Sequence, residues 1–271
     1  MKPENVSLAH LGVSDQGPLT LIAAAAGAGF GGVGLPLLSG ALKPLRTEII
    51  GNAALIDEIV AMCRDTGVRI FDVESLVLGH LPDKDRLLHV FETAAMLGAS
   101  CISCLGYEKS RRSGTLKPGE EAEALARLAG VAAGFGLTIC IEFMGFRSID
   151  SLARAESVVK ASGAANTAII LDALHVQRTG ATIEEITALP AGIVSHFQIC
   201  DASELRPQPD QLTEEARSGR LLPGEGAIPL TAIIAALPAG TEMSLEIPVA
   251  ALSGLPVAER ARIGAASISW L

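Results

Sequence analysis

The chain has 271 residues, enough for one large core, and an α/β barrel would use its whole length as a single domain, residues 1–271. Twenty-one Lys and Arg against 30 Asp and Glu give a net charge of −9, which argues against nucleic acid or an anionic membrane surface as partner. With 49% hydrophobic residues the chain is too apolar to be disordered. No run reaches the eighteen or so apolar residues of a membrane span. The longest apolar stretch, residues 19–30, follows Glu4 and Asp15 rather than a basic segment, so no secretory leader is expected. Five scattered cysteines, an odd number, fit a reducing, cytoplasmic setting better than a disulfide framework.

In chain order, short apolar runs alternate with amphipathic stretches. Strands are predicted at about 5–12, 32–38, 68–73, 100–105, 137–143, 167–172, 193–199 and 242–247. Helical patterns fall between them, among them 49–66, 83–97, 120–133 and 151–162, and Gly67, Gly98 and Gly136 stand where a helix should hand over to the next strand. Eight strands alternating with helices predict the α/β class and one (β/α)8 barrel. Gly27, Gly29 and Gly32 match G-x-G-x-x-G, but a helix precedes them and a strand follows, the reverse of a dinucleotide fingerprint. Cys101 and Cys104 form a C-x-x-C inside a predicted strand, where an offset of three points them to opposite faces; both read as packed hydrophobes.

The late strands carry the chemistry. Period-2 alternation separates a bulky outward set from an inward one: Thr138, Cys140, Glu142; Ala168, Ile170, Asp172; Val194, His196, Gln198; Glu242, Ser244, Glu246. Each inward set ends on a polar residue at the strand's C-terminus, the face on which barrel active sites lie. Glu142, Asp172, Gln198 and Glu246 could thus converge on one ion, whose charge would offset three carboxylates set together without a counter-charge. All-oxygen ligation favours Mg2+ or Mn2+, with Co2+ or Zn2+ as further choices. His175, three residues after Asp172, is read as acid/base or substrate donor, or else as a residue orienting Asp172. His196 faces inward one layer deeper, either packed or touching substrate. His10, at the end of the first strand, could reach the active mouth, with an interior or loop position the stronger reading.

Loop residues complete the candidate site. Residues 201–229 form a long segment with Pro207, Pro209, Pro223 and Pro229, the form of a lid. Arg206, Arg217 and the turn at 223–226 are its substrate-facing or loop-fixing candidates, and Arg217 reads equally as a surface helix charge. After the fourth strand, Tyr107, Lys109, Arg111 and Arg112 form a basic cluster; Arg111 would hold a carboxylate or phosphate, unless the cluster is simply solvated loop.

The runs IEF, LDALH, SHFQICDA, GRLLPGEG and SLEIP resemble the xylose isomerase-like barrel superfamily, over about half of the chain. The resemblance implies one divalent metal on Glu142, Asp172, Gln198 and Glu246, with the two glutamates moving protons. Gln at the third position resembles hydroxypyruvate isomerases and some 3-dehydroshikimate dehydratases rather than ketose 3-epimerases, which usually have His there. Five histidines are too few for the three-metal DNA-repair relatives. The expected activity is isomerisation or epimerisation of a keto-sugar or small hydroxy-carbonyl compound through an enediolate, with His175 orienting or protonating substrate. The alternatives are a dehydratase of a cyclic keto-polyol, such as an inosose or dehydroshikimate, and a non-catalytic sugar-binding or structural barrel. The expected partner is a small keto-sugar or keto-acid, and self-association into a homo-oligomer is left open.

Overall fold

A computed structural model describes residues 1–13, 15–38, 45–109, 116–117 and 119–271. Eight parallel strands close a barrel in sequence order: β1 (Val6–Leu8), β2 (Gly32–Pro36), β3 (Arg69–Val77), β4 (Cys101–Leu105), β5 (Thr138–Glu142), β6 (Thr167–Asp172), β7 (Val194–Ile199) and β8 (Glu242–Leu245). Ten α-helices lie among the described residues: α1 (Pro18–Ala28), α2 (Ala53–Thr66), α3 (Lys84–Met96), α4 (Glu120–Ala133), α5 (Leu152–Ser162), α6 (Ala173–Thr179), α7 (Ile183–Thr187), α8 (Leu212–Ser218), α9 (Leu230–Ala236) and α10 (Val257–Ser267). The expected (β/α)8 barrel is the observed one. None of these helices is long and apolar enough to cross a membrane.

Local chemistry sets the handovers. Asn52, Asp83 and Ser151 each accept from a backbone N–H in the first turn of α2, α3 and α5. Gly67, Gly98 and Gly136 have φ of 75°, 76° and 71°, a left-handed turn that a residue with Cβ adopts only at a cost. The glycines at 27, 29 and 32 mark the expected helix-to-strand turn, with α1 ending at Ala28 and β2 starting at Gly32.

The core divides as the alternation requires. Ile139, Ile141, Ile169, Leu171, Phe197 and Leu245 pack outward under the helices, while Cys101, Cys140, Ala168 and Ile170 form a separate small cluster inside the barrel. Cys104 joins the outer core, so the two C-x-x-C thiols do point to opposite faces.

Two strands depart from expectation. β1 stops at Leu8, and His10–Val13 turns into a short 3-10 helix. β3 runs on to Val77 because its register against β4 shifts between Val73 and Leu76, a bulge that re-aims the residues within it.

Candidate active site

At the C-terminal face of the barrel lies a cavity of about 840 Å3 lined by Glu142, His175, Arg220 and Glu246, among others, with Asp172 and Gln198 buried outside its lining. Glu142, Asp172, Gln198 and Glu246 are all at least 94% buried, with exposures of 6%, 0%, 2% and 3%. Strand register alone puts Asp172 beside Gln198. Asp172 is also the N-cap of α6: its Oδ1 accepts from the His175 N–H at 3.1 Å, so one carboxylate ends a strand and starts a helix. Carboxylate or imidazole ligand atoms of Glu142, Asp172 and His175 lie within 4.8 Å of one another. His175 Nε2 is 3.6 Å from Glu142 Oε1. Gln198 Nε2 donates to Glu246 Oε1 at 3.4 Å and leaves its own Oε1 buried without a donor.

One premise of the sequence reading is corrected here: the carboxylates do have a counter-charge. Arg220, 2% exposed, reaches between them, with Nη1 2.5 Å from Asp172 Oδ2 and Nη2 2.6 Å from Glu246 Oε2. Its Nε donates to Ala216 O at 3.0 Å, fixing the guanidinium plane. Arg220 lies in the quoted run GRLLPGEG, just after a glycine and before the PGEG turn, yet nothing local distinguishes it from Arg217.

Burial and these neighbours set the charges. Burial, reinforced by the charges of Glu246 and Asp172, pushes Glu142 well above the usual carboxylate range. Burial also carries Glu246 up to about 8, and Arg220 offsets only part of it. For Asp172 burial acts upward too, but Arg220 and His175 outweigh it and hold the carboxyl low. Burial drops His175 to about 4, so its ring is neutral near pH 7.

The donor set fits a divalent cation. Once ionised, three carboxylates exceed the single guanidinium by the charge of one divalent ion, a neutral imidazole is a ready ligand, and Gln198 Oε1 lacks a donor. The candidate set therefore includes His175 as well as the four expected residues.

The segment after β7 covers the cavity. α8 contributes Thr213, Ala216, Arg217 and Ser218 to its lining. Arg178 of α6 pins α8 by a two-pronged bond to Glu215, at 2.9 and 2.6 Å, and donates to Ser203 O at 2.8 Å. Asp201, buried, accepts from the N–H groups of Ala202, Gly224 and Ile228 and so holds the turn that follows Arg220. A Cβ at Gly226 would lie 2.3 Å from Ala202 O, so that close approach requires glycine.

The remaining candidates separate. Arg217, exposed in the last turn of α8, lines the cavity. Arg206 is exposed but does not line the cavity. His196 is fully buried below it, edge-on to Phe71 with ring centroids 4.8 Å apart. Lys109 is paired to Asp150 at 2.5 Å, and Arg111 and Arg112 lie outside the described residues. His10 lines the cavity, the weaker of its two readings from sequence, rather than standing as an interior or loop residue. Its approach to Glu74, distant in sequence, left no local signal.

A family model described as "Xylose isomerase-like TIM barrel" matches residues 22–271. The chain belongs to the xylose isomerase-like TIM barrel family. It is 30% identical over 118 residues to an inosose isomerase of Bacillus velezensis, which is 43% of this chain and 40% of that one, so the match spans less than half of either. Among solved structures, the IolI protein with a bound zinc atom superposes with a TM-score of 0.81 at 17% identity, covering 98% of this chain and 96% of that one. The probable 3-DHS dehydratase AsbF of Bacillus anthracis gives 0.73 at 16% identity, with 99% of each chain covered. At these identities the two structures speak for the shared barrel.

Proposed function

We propose that this chain is a divalent-metal-dependent isomerase or epimerase of a keto-sugar or small hydroxy-carbonyl compound. The observation that carries the reading is that buried Glu142, His175 and Glu246 line one cavity at the active face of the barrel, with the Asp172 carboxylate within 4.8 Å of the Glu142 and His175 ligand atoms. Similarity to an inosose isomerase supports it. Asp172, His175, Gln198 and the two glutamates would hold the ion, which when bound polarises a carbonyl and an adjacent hydroxyl.

The chain's own groups do the rest. Glu142 and Glu246, buried and lining the cavity, are the acid/base pair. One removes the proton α to the carbonyl, and the other delivers a proton to the opposite face or the neighbouring carbon. Arg220 fixes Asp172 and Glu246 and offsets charge as it moves between them. α8 excludes water, and Arg217 meets the substrate's outer end.

The test joins metal content to solvent exchange. Purified protein is expected to bind about one divalent ion per chain, and Glu142→Gln and Asp172→Ala to lose it. With ketoses and inososes in D2O, deuterium incorporation without water loss is the expected outcome. Incorporation with water loss would make the enzyme a lyase. No metal and no exchange would mark a binding or structural barrel and end the proposal.

A further inference from the structure

The cavity has a second polar wall that the proton-transfer chemistry does not use. In a closed eight-stranded barrel, the ends of β1 and β3 face those of β5 and β7. His10, just after β1, and Glu74, in the β3 bulge, both line the cavity from that side. His10 Nδ1 is 3.4 Å from Glu74 Oε2, with side-chain exposures of 13% and 16%. Glu74 Oε1 is buried and has no hydrogen-bond partner. Leu35, Pro36 and Leu105 make the wall beside it apolar, and although Ser75, Gln16 and Thr47 also line the cavity, none of them donates to Oε1 among the described residues.

We propose that the Glu74–His10 pair is a second substrate-binding wall, which accepts hydroxyl groups of a neutral polyhydroxy skeleton and rejects carboxylates at that end. A buried carboxylate oxygen without a donor is costly, and a substrate hydroxyl is the group that satisfies it. A substrate carboxylate on Oε1 has no proton to give and meets the Glu74 charge directly, while His10 stands on the other oxygen, Oε2. Burial alone would neutralise both members, yet each holds the other charged: His10 is raised and Glu74 lowered from their ordinary values. Size agrees, since a cavity of about 840 Å3 is far larger than a three-carbon hydroxy acid needs. The ligand class is therefore a sugar-sized or larger neutral polyol bearing hydroxyls remote from the reacting carbons. This deepens the keto-sugar reading of the same cavity and rests on it for the reacting end.

The test is equilibrium binding of two ring compounds by titration calorimetry: myo-inositol, neutral, and quinate, which carries a carboxylate. Neither needs turnover. The wild type is expected to favour myo-inositol by roughly tenfold, the effect of about one charge-assisted hydrogen bond. Glu74→Gln, isosteric but uncharged, should erase most of that preference, and His10→Gln should reduce it, each with folding verified by thermal melting. A wild type that binds neither compound, or shows no preference, overturns the proposal, as does a preference that survives in both folded variants. Deuterium exchange separates the two readings. No exchange into any hydroxyketone, with the inositol preference intact and lost in Glu74→Gln, refutes the isomerase reading and supports the wall. Exchange without any preference does the reverse.

Discussion

Asp72 offers a perturbation whose size follows from the structure. It lies on β3 inside the barrel, 2% exposed, with Oδ1 unpartnered. Burial first, and the nearby Glu74 charge second, raise its pKa from 3.8 to about 8. Glu74 has His10 to hold it ionised, so the proton settles on Asp72. The folded chain then binds a proton that the unfolded chain has lost, so stability falls as pH rises between those two values, by about 1.4 kcal/mol per pH unit. At pH 7 the accumulated loss is about 4 kcal/mol relative to pH 4. Asp72→Asn keeps the shape of the protonated acid and cannot ionise. A larger side chain would not fit, since even a Cβ on Gly34 would lie 2.6 Å from Oδ1. Urea unfolding of both proteins at pH 5, 6 and 7 should show the variant gaining on wild type with each step, by about the slope above. The contributions of His10 and Glu74 are present in both proteins and largely cancel. A stability difference that is flat with pH, or that favours wild type more at pH 7 than at pH 5, would refute the reasoning.

Arg220→Met leaves Asp172 and Glu246 buried opposite no cation and should cost about 3–5 kcal/mol in thermal or chemical unfolding, with Mn2+ restoring more of the loss than it adds to wild type. Asp201→Asn loses acceptor capacity toward three backbone N–H groups, so about 1–3 kcal/mol of stability and faster proteolysis within residues 203–228 are expected. Burial pushes the Cys104 and Cys200 thiols up to about 12, and Cys101 and Cys140 are also buried. An aromatic disulfide reagent at pH 8 should therefore titrate only Cys63 in the native chain and all five thiols in denaturant.

The barrel was legible because local rules and the fold agree over β2 and β4 to β8. Apolar runs of strand length, ended by glycine handovers, gave the count, and the inward or outward assignment of Glu142, Asp172, Gln198 and Glu246 followed from the pleat. The ends of β1 and β3 were not legible. HLGV continues the apolar character of β1, so hydrophobicity could not mark the turn into a 3-10 helix, and the bulge at 74–75 breaks the period that locates a strand's end. The site was half legible for the same reason. Its carboxylates sit at strand ends, where period-2 reading works, but their cation arrives 48 residues later on a loop from Asp172. Of the arginines in that loop, the fold uses Arg220 for charge balance and leaves Arg217 at the lining, a choice made by the Asp201-anchored turn and by no helical or strand period.

Charge balance at the cluster yields a last expectation. In the metal-free chain, Arg220 and the ionised Asp172 cancel, while burial keeps protons on Glu142 and on much of Glu246 near pH 7. The cluster is then close to neutral, the cheapest state for groups this deeply buried. A divalent cation changes the account, because a protonated carboxyl is a poor ligand and the added charge draws both glutamates into the ionised form. Three carboxylates, one guanidinium and one divalent ion again sum to neutrality. Binding should therefore release more than one proton per ion, up to roughly two, and affinity for Mn2+ should rise with pH by about 10- to 100-fold per unit between pH 6 and 7. The sign follows from the raised values: the competing protons leave as pH climbs toward the folded pKa, so binding strengthens until both groups are ionised and then levels off. Calorimetric titrations with Mn2+ in buffers of different ionisation enthalpy count the protons directly. An affinity that does not change with pH would mean that the ion sits on groups already ionised, and would move its site away from Glu142 and Glu246 toward Asp172 and His175 alone.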